Sequence, residues 1–216
     1  TRAIEGFLAE DFTSVKLVAC GTSYHAALVG KYIFEEIARI PASAEIASEY
    51  RYTQGAQERP LVILISQSGE TADTLGATRE AKRRGCKTLG ICNVIGSSLS
   101  RETDKTIYTR AGIEIGVAAT KTFVAQLVVL YLVALRMGLD RGTLGYEEAD
   151  RLKDELRSLP RSVLAVLNKE AEIEALAAAY GTDARDAFYI GRHANYPVAM
   201  EGALKLKEIS YIHAEA

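Results

Sequence analysis

Short, largely apolar runs separated by helix-length amphipathic stretches restrict this chain to one class of architecture. VKLVAC (Val15–Cys20), LVILI (Leu61–Ile65) and KTLGICN (Lys87–Asn93) read as strands, as do AEIAS (Ala44–Ser48) after Pro41 and TIYTR (Thr106–Arg110). A strand that is apolar at successive positions must be covered on both faces, as in parallel sheets whose crossover helices lie above and below. Helices expected near Tyr24–Arg39, Thr71–Arg84 and Ala118–Met137 supply those crossovers. The class is therefore α/β: a doubly wound, five-stranded parallel sheet with right-handed connections and flavodoxin-like order. Such sheets bind ligands at the carboxyl ends of their strands, at the switch point. Ser23 and Ser66 both fall on that edge.

Residues 1–143 account for this unit. Residues 144–185 change character to charged, amphipathic helix, read as a connector packed on the first unit with a break at Pro160. Residues 186–216 begin again with a strand (Ala187–Ile190), a glycine turn and a helix. Gly191, Tyr196, Gly202, Glu208 and Ile209 repeat the spacing of Gly21, Tyr24, Gly30, Glu36 and Ile37 once the loop is two residues longer. One strand and one helix cannot close a sheet, so this segment reads as the start of a second unit, in a chain that reads as a piece of something longer.

Composition excludes several classes. With 26 Lys and Arg against 28 Asp and Glu, the net charge of −2 offers no basic face for nucleic acid. Cys20, Cys86 and Cys92 have neither metal-ligand spacing nor a disulfide framework, which points to a reducing cytoplasm and to no metal. The N-terminus has no signal-peptide pattern. Phe123–Leu135 reads as too short to span a membrane and as a buried helix, apolar on so many faces that a homodimer is expected.

At Ser66–Thr71 (SQSGET) a buried strand turns into a helix through three hydroxyls and a glycine. Helix N-termini carry unpaired N–H groups and positive partial charge, and a glycine lets the backbone approach an anion. Neither the triphosphate pattern GxxxxGK[ST] nor the dinucleotide pattern GxGxxG is present, so a phosphate monoester fits best. The competing account is structural: Ser68 as a helix cap and Glu70 as a first-turn carboxylate.

CGTS (Cys20–Ser23), SQSGET, EIGVAATK (Glu114–Lys121) and EGALKLKEISYIHAEA (Glu201–Ala216) resemble the sugar isomerase (SIS) family. More narrowly, they are similar to the isomerase part of the glutamine–fructose-6-phosphate aminotransferase family. The resemblance covers nearly the whole chain. It implies two SIS domains in one isomerase, a preceding glutaminase domain that supplies ammonia, and no cofactor. It implies that Ser66, Gln67, Ser68 and Thr71 hold the phosphate of fructose 6-phosphate, while Thr22, Ser23 and the backbone around Val117 line the sugar. Where the family often has serine this chain has Ala119.

On the second helix, Glu201, Lys205, Glu208 and Ile212 share one stripe. By itself that stripe reads as a solvated salt-bridge face. The resemblance implies instead that Glu208 is the base moving a proton between C1 and C2, with Lys205 one turn away stabilising the developing oxyanion. The product is then glucosamine 6-phosphate. Two alternatives are a stand-alone aldose–ketose sugar-phosphate isomerase and a non-enzymatic SIS sensor. His25, His193 and His213 are scattered, and His25 is expected to pack or bond at the start of its helix.

Overall fold

The computed structural model describes residues 4, 6–10, 12–53, 60–181 and 184–216. Strands β1 (Val15–Ala19), β2 (Ala42–Ile46), β3 (Leu61–Ser66), β4 (Lys87–Cys92) and β5 (Lys105–Tyr108) form one parallel sheet in the order β2-β1-β3-β4-β5. This is the doubly wound order expected from the sequence. Winding reverses between β1 and β3, so a crevice opens where the chain leaves those two strands, just beyond the pairing of Ala19 with Ile65.

The unbroken apolar runs follow from the two cores they serve. Leu17, Ile63, Ile65, Leu89 and Ile91 enter one core with α1 (Gly21–Ile33) and α5 (Lys121–Asp140). Val18, Val62, Leu64 and Cys92 enter the other with α2 (Ala47–Tyr50), α3 (Ala72–Arg83) and α4 (Ser98–Glu102). Each fully buried Leu or Ile contributes about 1.5–3 kcal/mol, so a strand polar on either face would forfeit one core. Helix α1 continues into a π-helical turn (Phe34–Ala38) that ends at Arg39 in the left-handed region.

Helix α5 is longer than the Phe123–Leu135 run suggested: at 20 residues it is long and apolar enough to cross a bilayer. Leu130, Val133, Ala134 and Met137 are fully buried in the sheet's core, which accounts for much of that apolarity without a membrane.

Two further expectations need correction. Helix α6 (Tyr146–Leu167) runs through Pro160 without a break; the interruption comes at Asn168–Lys169, before α7 (Glu170–Tyr180). Pro160 is exposed, so the carbonyl one turn earlier can tilt toward solvent. The connector is also only partly packed on the first unit. Ala149, Leu152 and Leu156 join Leu135 and Leu144 in a small core, whereas α7 has no buried residue.

The chain then forms β6 (Asp186–Phe188), α8 (Asn195–Ser210) and β7 (His213–Glu215), with β6 and β7 paired in parallel. Sequence reading missed β7. The repeat noted in the sequence has a packing counterpart. A Cβ at Gly30 would lie 2.7 Å from Leu17 of β1, and one at Gly202 would lie 2.7 Å from Tyr189, which follows β6. Each glycine lets a helix sit close over its own strand. Helix α8 packs on α1.

Candidate functional site

Ser66 closes β3 and is 3% exposed. Its Oγ accepts the Gly69 N–H at 3.0 Å and lies 3.0 Å from Thr71 Oγ1, so two hydroxyls of the turn are held against each other. Ser68 Oγ accepts the Glu70 N–H at 3.1 Å. Gly69 is required here: its φ is +68°, and a Cβ would fall 2.2 Å from Ser97 Oγ. The Glu70 carboxylate accepts the Ser98 N–H at 2.7 Å, and its bonds to Ser98 hold it below the ordinary carboxylate range. The turn is thereby tied to the start of α4. Thr71, not Ser68, occupies the N-cap of α3, and it makes no side-chain cap bond. The capping account of Ser68 is therefore replaced. The positive end of α3 meets the strand edge without a capping side chain.

Facing this turn are Cys20, Thr22 and Ser23 at the start of α1, the 114–119 loop, Thr122 and Gln126 of α5, and Glu208 of α8; together they enclose a cavity of about 270 Å³. Thr22, Ser23, Ser66, Gln67, Ser68, Thr71, Val117 and Glu208, singled out in the sequence, all line it. Lys205 does not line it but stands behind Glu208: its Nζ is 2.5 Å from Glu208 Oε2 and donates to Thr22 Oγ1 at 3.2 Å. Val117 is among the lining residues although the residue is 97% exposed. Ala119 also lines the cavity, with no hydroxyl to offer.

The loop beside Val117 is fastened by a carboxylate. Burial pushes the Glu114 carboxyl up, but hydrogen bonds from the Thr122 hydroxyl and the Thr120 N–H outweigh burial and leave it below its usual range. Burial pushes the Cys20 thiol up, which disfavours its thiolate form. No group of three or more His, Cys, Asp or Glu among the described residues is arranged to hold a metal.

The stripe on α8 is solvated only toward its end: Glu208 is exposed and Lys205 half-buried, whereas the first member is buried. Glu201 is 6% exposed; its carboxylate accepts from Thr22 Oγ1 at 2.9 Å and meets His25 Nδ1 at 2.7 Å. It also lies 3.4 Å from Lys205 Nζ. His25 thus bonds near the start of its helix, as expected, but to a residue of α8. Ile212 lies beyond the helix, after Tyr211 turns left-handed. His193 packs its ring at a tilt against Tyr32 and His213 bonds Asp186, and neither lines the cavity. Sequence reasoning passed over Glu201, Gln126 and Glu114 as site residues. The available signal for Gln126 was an amide in the otherwise apolar run FVAQLVVL.

A family model described as the SIS domain matches residues 11–136. The chain belongs to the SIS family. Curated relatives include glutamine–fructose-6-phosphate aminotransferases (isomerizing). That of Caldanaerobacter subterraneus subsp. tengcongensis is 50% identical over 96% of this chain and 34% of the relative. That of Neisseria meningitidis serogroup B is 53% identical over the same shares. This SIS chain thus spans about a third of the length of the curated relatives it matches. Among solved structures, the C-terminal domain of glucosamine-fructose-6-phosphate aminotransferase from Francisella tularensis superposes with a TM-score of 0.95 at 43% identity, covering 98% of this chain and 60% of that one. A putative phosphosugar isomerase from Silicibacter pomeroyi superposes at 0.81 with 30% identity, covering 99% and 62%.

Proposed function

We propose that this SIS chain holds fructose 6-phosphate and moves its protons in an aminotransferase that makes glucosamine 6-phosphate with glutamine-derived ammonia. The observation that carries the proposal is that the Glu208 carboxylate shares one cavity with the hydroxyl turn. Ser66, Gln67, Ser68 and Thr71, with the start of α3, take the phosphate; Thr22, Ser23 and the backbone at Val117 take the sugar. With ammonia condensed at C2 as an imine and water released, Glu208 removes a proton from C1. That electron pair forms C1=C2 while the C2=N pair moves to nitrogen, which takes up a proton, giving an enolamine. Returning the proton to C2 while the C1 hydroxyl loses its own yields the aldehyde of the amino sugar. Lys205, 2.5 Å from Glu208, supplies positive charge where the oxygen becomes electron-rich. These steps move only protons and call on no cofactor.

The pairing of Lys205 with Glu208 beside the cavity favours an enzyme over a sugar-phosphate sensor, which needs only the hydroxyl turn. A glutaminase domain in the longer parent supplies the ammonia. The chain is proposed to work as a cytoplasmic homodimer, supported by its free cysteines and by Val124 and Leu132, which α5 leaves partly exposed. Solvent exchange of the C1 proton of fructose 6-phosphate tests the reading in the full-length parent. Glu208→Gln should bind the sugar phosphate yet lose exchange by about 10²–10⁴-fold. Undiminished exchange would place the base elsewhere.

A further inference from the structure

Gln126 is 1% exposed, sits on the cavity wall, and has a side-chain oxygen with no hydrogen-bond partner among the described residues. Its Nε2 donates to Ser23 Oγ at 3.0 Å. A buried amide acceptor left unpaired is costly, and α5 could have carried Leu or Met here at no such cost. Ser23 is itself 7% exposed. Because its oxygen already accepts from Gln126, its own proton is free to point elsewhere.

The pair therefore offers one donor, the Ser23 hydroxyl, and one acceptor, the Gln126 carbonyl, at the same wall. An alcohol satisfies both at once. A phosphate oxygen does not, since it brings no proton to the amide carbonyl and would be repelled by it. We propose that Gln126 is a specificity-determining residue: with Ser23 it reads one free hydroxyl of the sugar chain, apart from the phosphate. This rests on the sugar-phosphate reading above. It gives the cavity a means of choosing among phosphate esters, which the hydroxyl turn alone does not have. The helix N-terminus and turn recognise the phosphate common to all of them. The amide penalises any ester without a hydroxyl at the matching place.

The test is calorimetry with inorganic phosphate, fructose 6-phosphate and its 1-, 3-, 4- and 5-deoxy forms, on the wild-type chain and on Gln126→Met. Wild type should bind one deoxy form about 10–100-fold more weakly than fructose 6-phosphate. Gln126→Met should lose the same factor for fructose 6-phosphate, lose nothing further for that deoxy form, and bind inorganic phosphate as wild type does. If Gln126→Met does not fold, Gln126→Asn, whose amide is one methylene short, is read the same way. Unchanged affinity for fructose 6-phosphate in the variant overturns the role of Gln126 and leaves the sugar-phosphate reading intact. So does an equal loss across every ligand, which would mark a merely structural glutamine. Failure of the wild type to bind any sugar phosphate overturns both.

Discussion

His25 Nδ1 lies 2.7 Å from Glu201 Oε2, joining α1 to α8 across 176 residues of chain. Both side chains are nearly buried, at 12% and 8% exposure. Glu201 also takes the Thr22 hydroxyl, so α8 is fixed against the same turn of α1 that supplies Thr22 and Ser23 to the cavity. The position of Glu208 over the hydroxyl turn therefore depends on a contact made two turns earlier on its own helix.

Removing Glu201 leaves the His25 ring nitrogen buried without that acceptor, whereas removing His25 leaves Glu201 with Thr22 and Lys205. Glu201→Ala is expected to cost about 1.5–3 kcal/mol, the range for hydrogen bonds to a charged group. Urea unfolding of wild type, Glu201→Ala, His25→Ala and the double variant gives the coupling directly. Additive losses would show that the two residues act independently.

Ser66→Ala with Thr71→Ala removes a hydroxyl pair whose members bond each other and, for Ser66, the Gly69 N–H. Each charge-assisted bond to a phosphate is worth about 1.5–3 kcal/mol. The double variant is expected to fold and to lose fructose 6-phosphate affinity by at least about 100-fold. Isothermal calorimetry showing wild-type affinity in the folded protein would move the phosphate elsewhere.

Gly69→Ala meets two separate penalties. A left-handed φ costs a residue with a Cβ about 1–2 kcal/mol, and the new methyl would overlap Ser97, 2.2 Å away at its Oγ. Ser97→Gly in the same chain removes the overlap but not the backbone cost. Thermal unfolding should show partial recovery in the double variant; full recovery would mean that φ carries no strain.

Glu80 governs part of the acid response. Hydrogen bonds from Arg83 and Arg84 hold its carboxyl at about 2, against an ordinary 4.5. A depressed folded value means that the stabilisation is complete above pH 4.5 and is lost as pH falls through about 2. Arg83 is largely exposed, so solvent screening reduces the effect to about 1–2 kcal/mol. Glu80→Gln should lower stability by that amount at pH 7 and shrink the difference from wild type by pH 2–3, read from urea midpoints across pH. Arg84 also donates to the Tyr50 and Thr53 carbonyls, so the same variant loosens the end of α2.

The sheet was legible because a strand between two cores must be apolar at successive positions, as Leu61–Ile65 is. The hydroxyl turn was legible as a strand-to-helix turn because Ser66, Ser68, Gly69 and Thr71 follow directly on the buried run Leu61–Ile65. Glu201 was not. Nothing local distinguishes a carboxylate in a solvated stripe from one meeting a histidine 176 positions away. Gln126 escaped for the related reason that one amide in an apolar helix looks like a tolerated polar residue until its neighbours are placed. Strand β7 was missed because His213–Glu215 carries only one buried side chain, Ala214, and shows no apolar run. The expected break at Pro160 followed a rule for helix interiors that an exposed, one-sided helix evades.

The hydroxyl turn draws its internal bonds from Ser66, Ser68, Gly69, Glu70 and Thr71, with α8 taking no part in them. Helix α8 is placed at the cavity chiefly by its packing on α1. The turn proposed to grip the phosphate and the group proposed to move the proton can therefore drift separately in descent. A lineage could exchange Lys205 and Glu208 for other side chains and acquire a new chemistry, or none, while inheriting the hydroxyl turn unchanged.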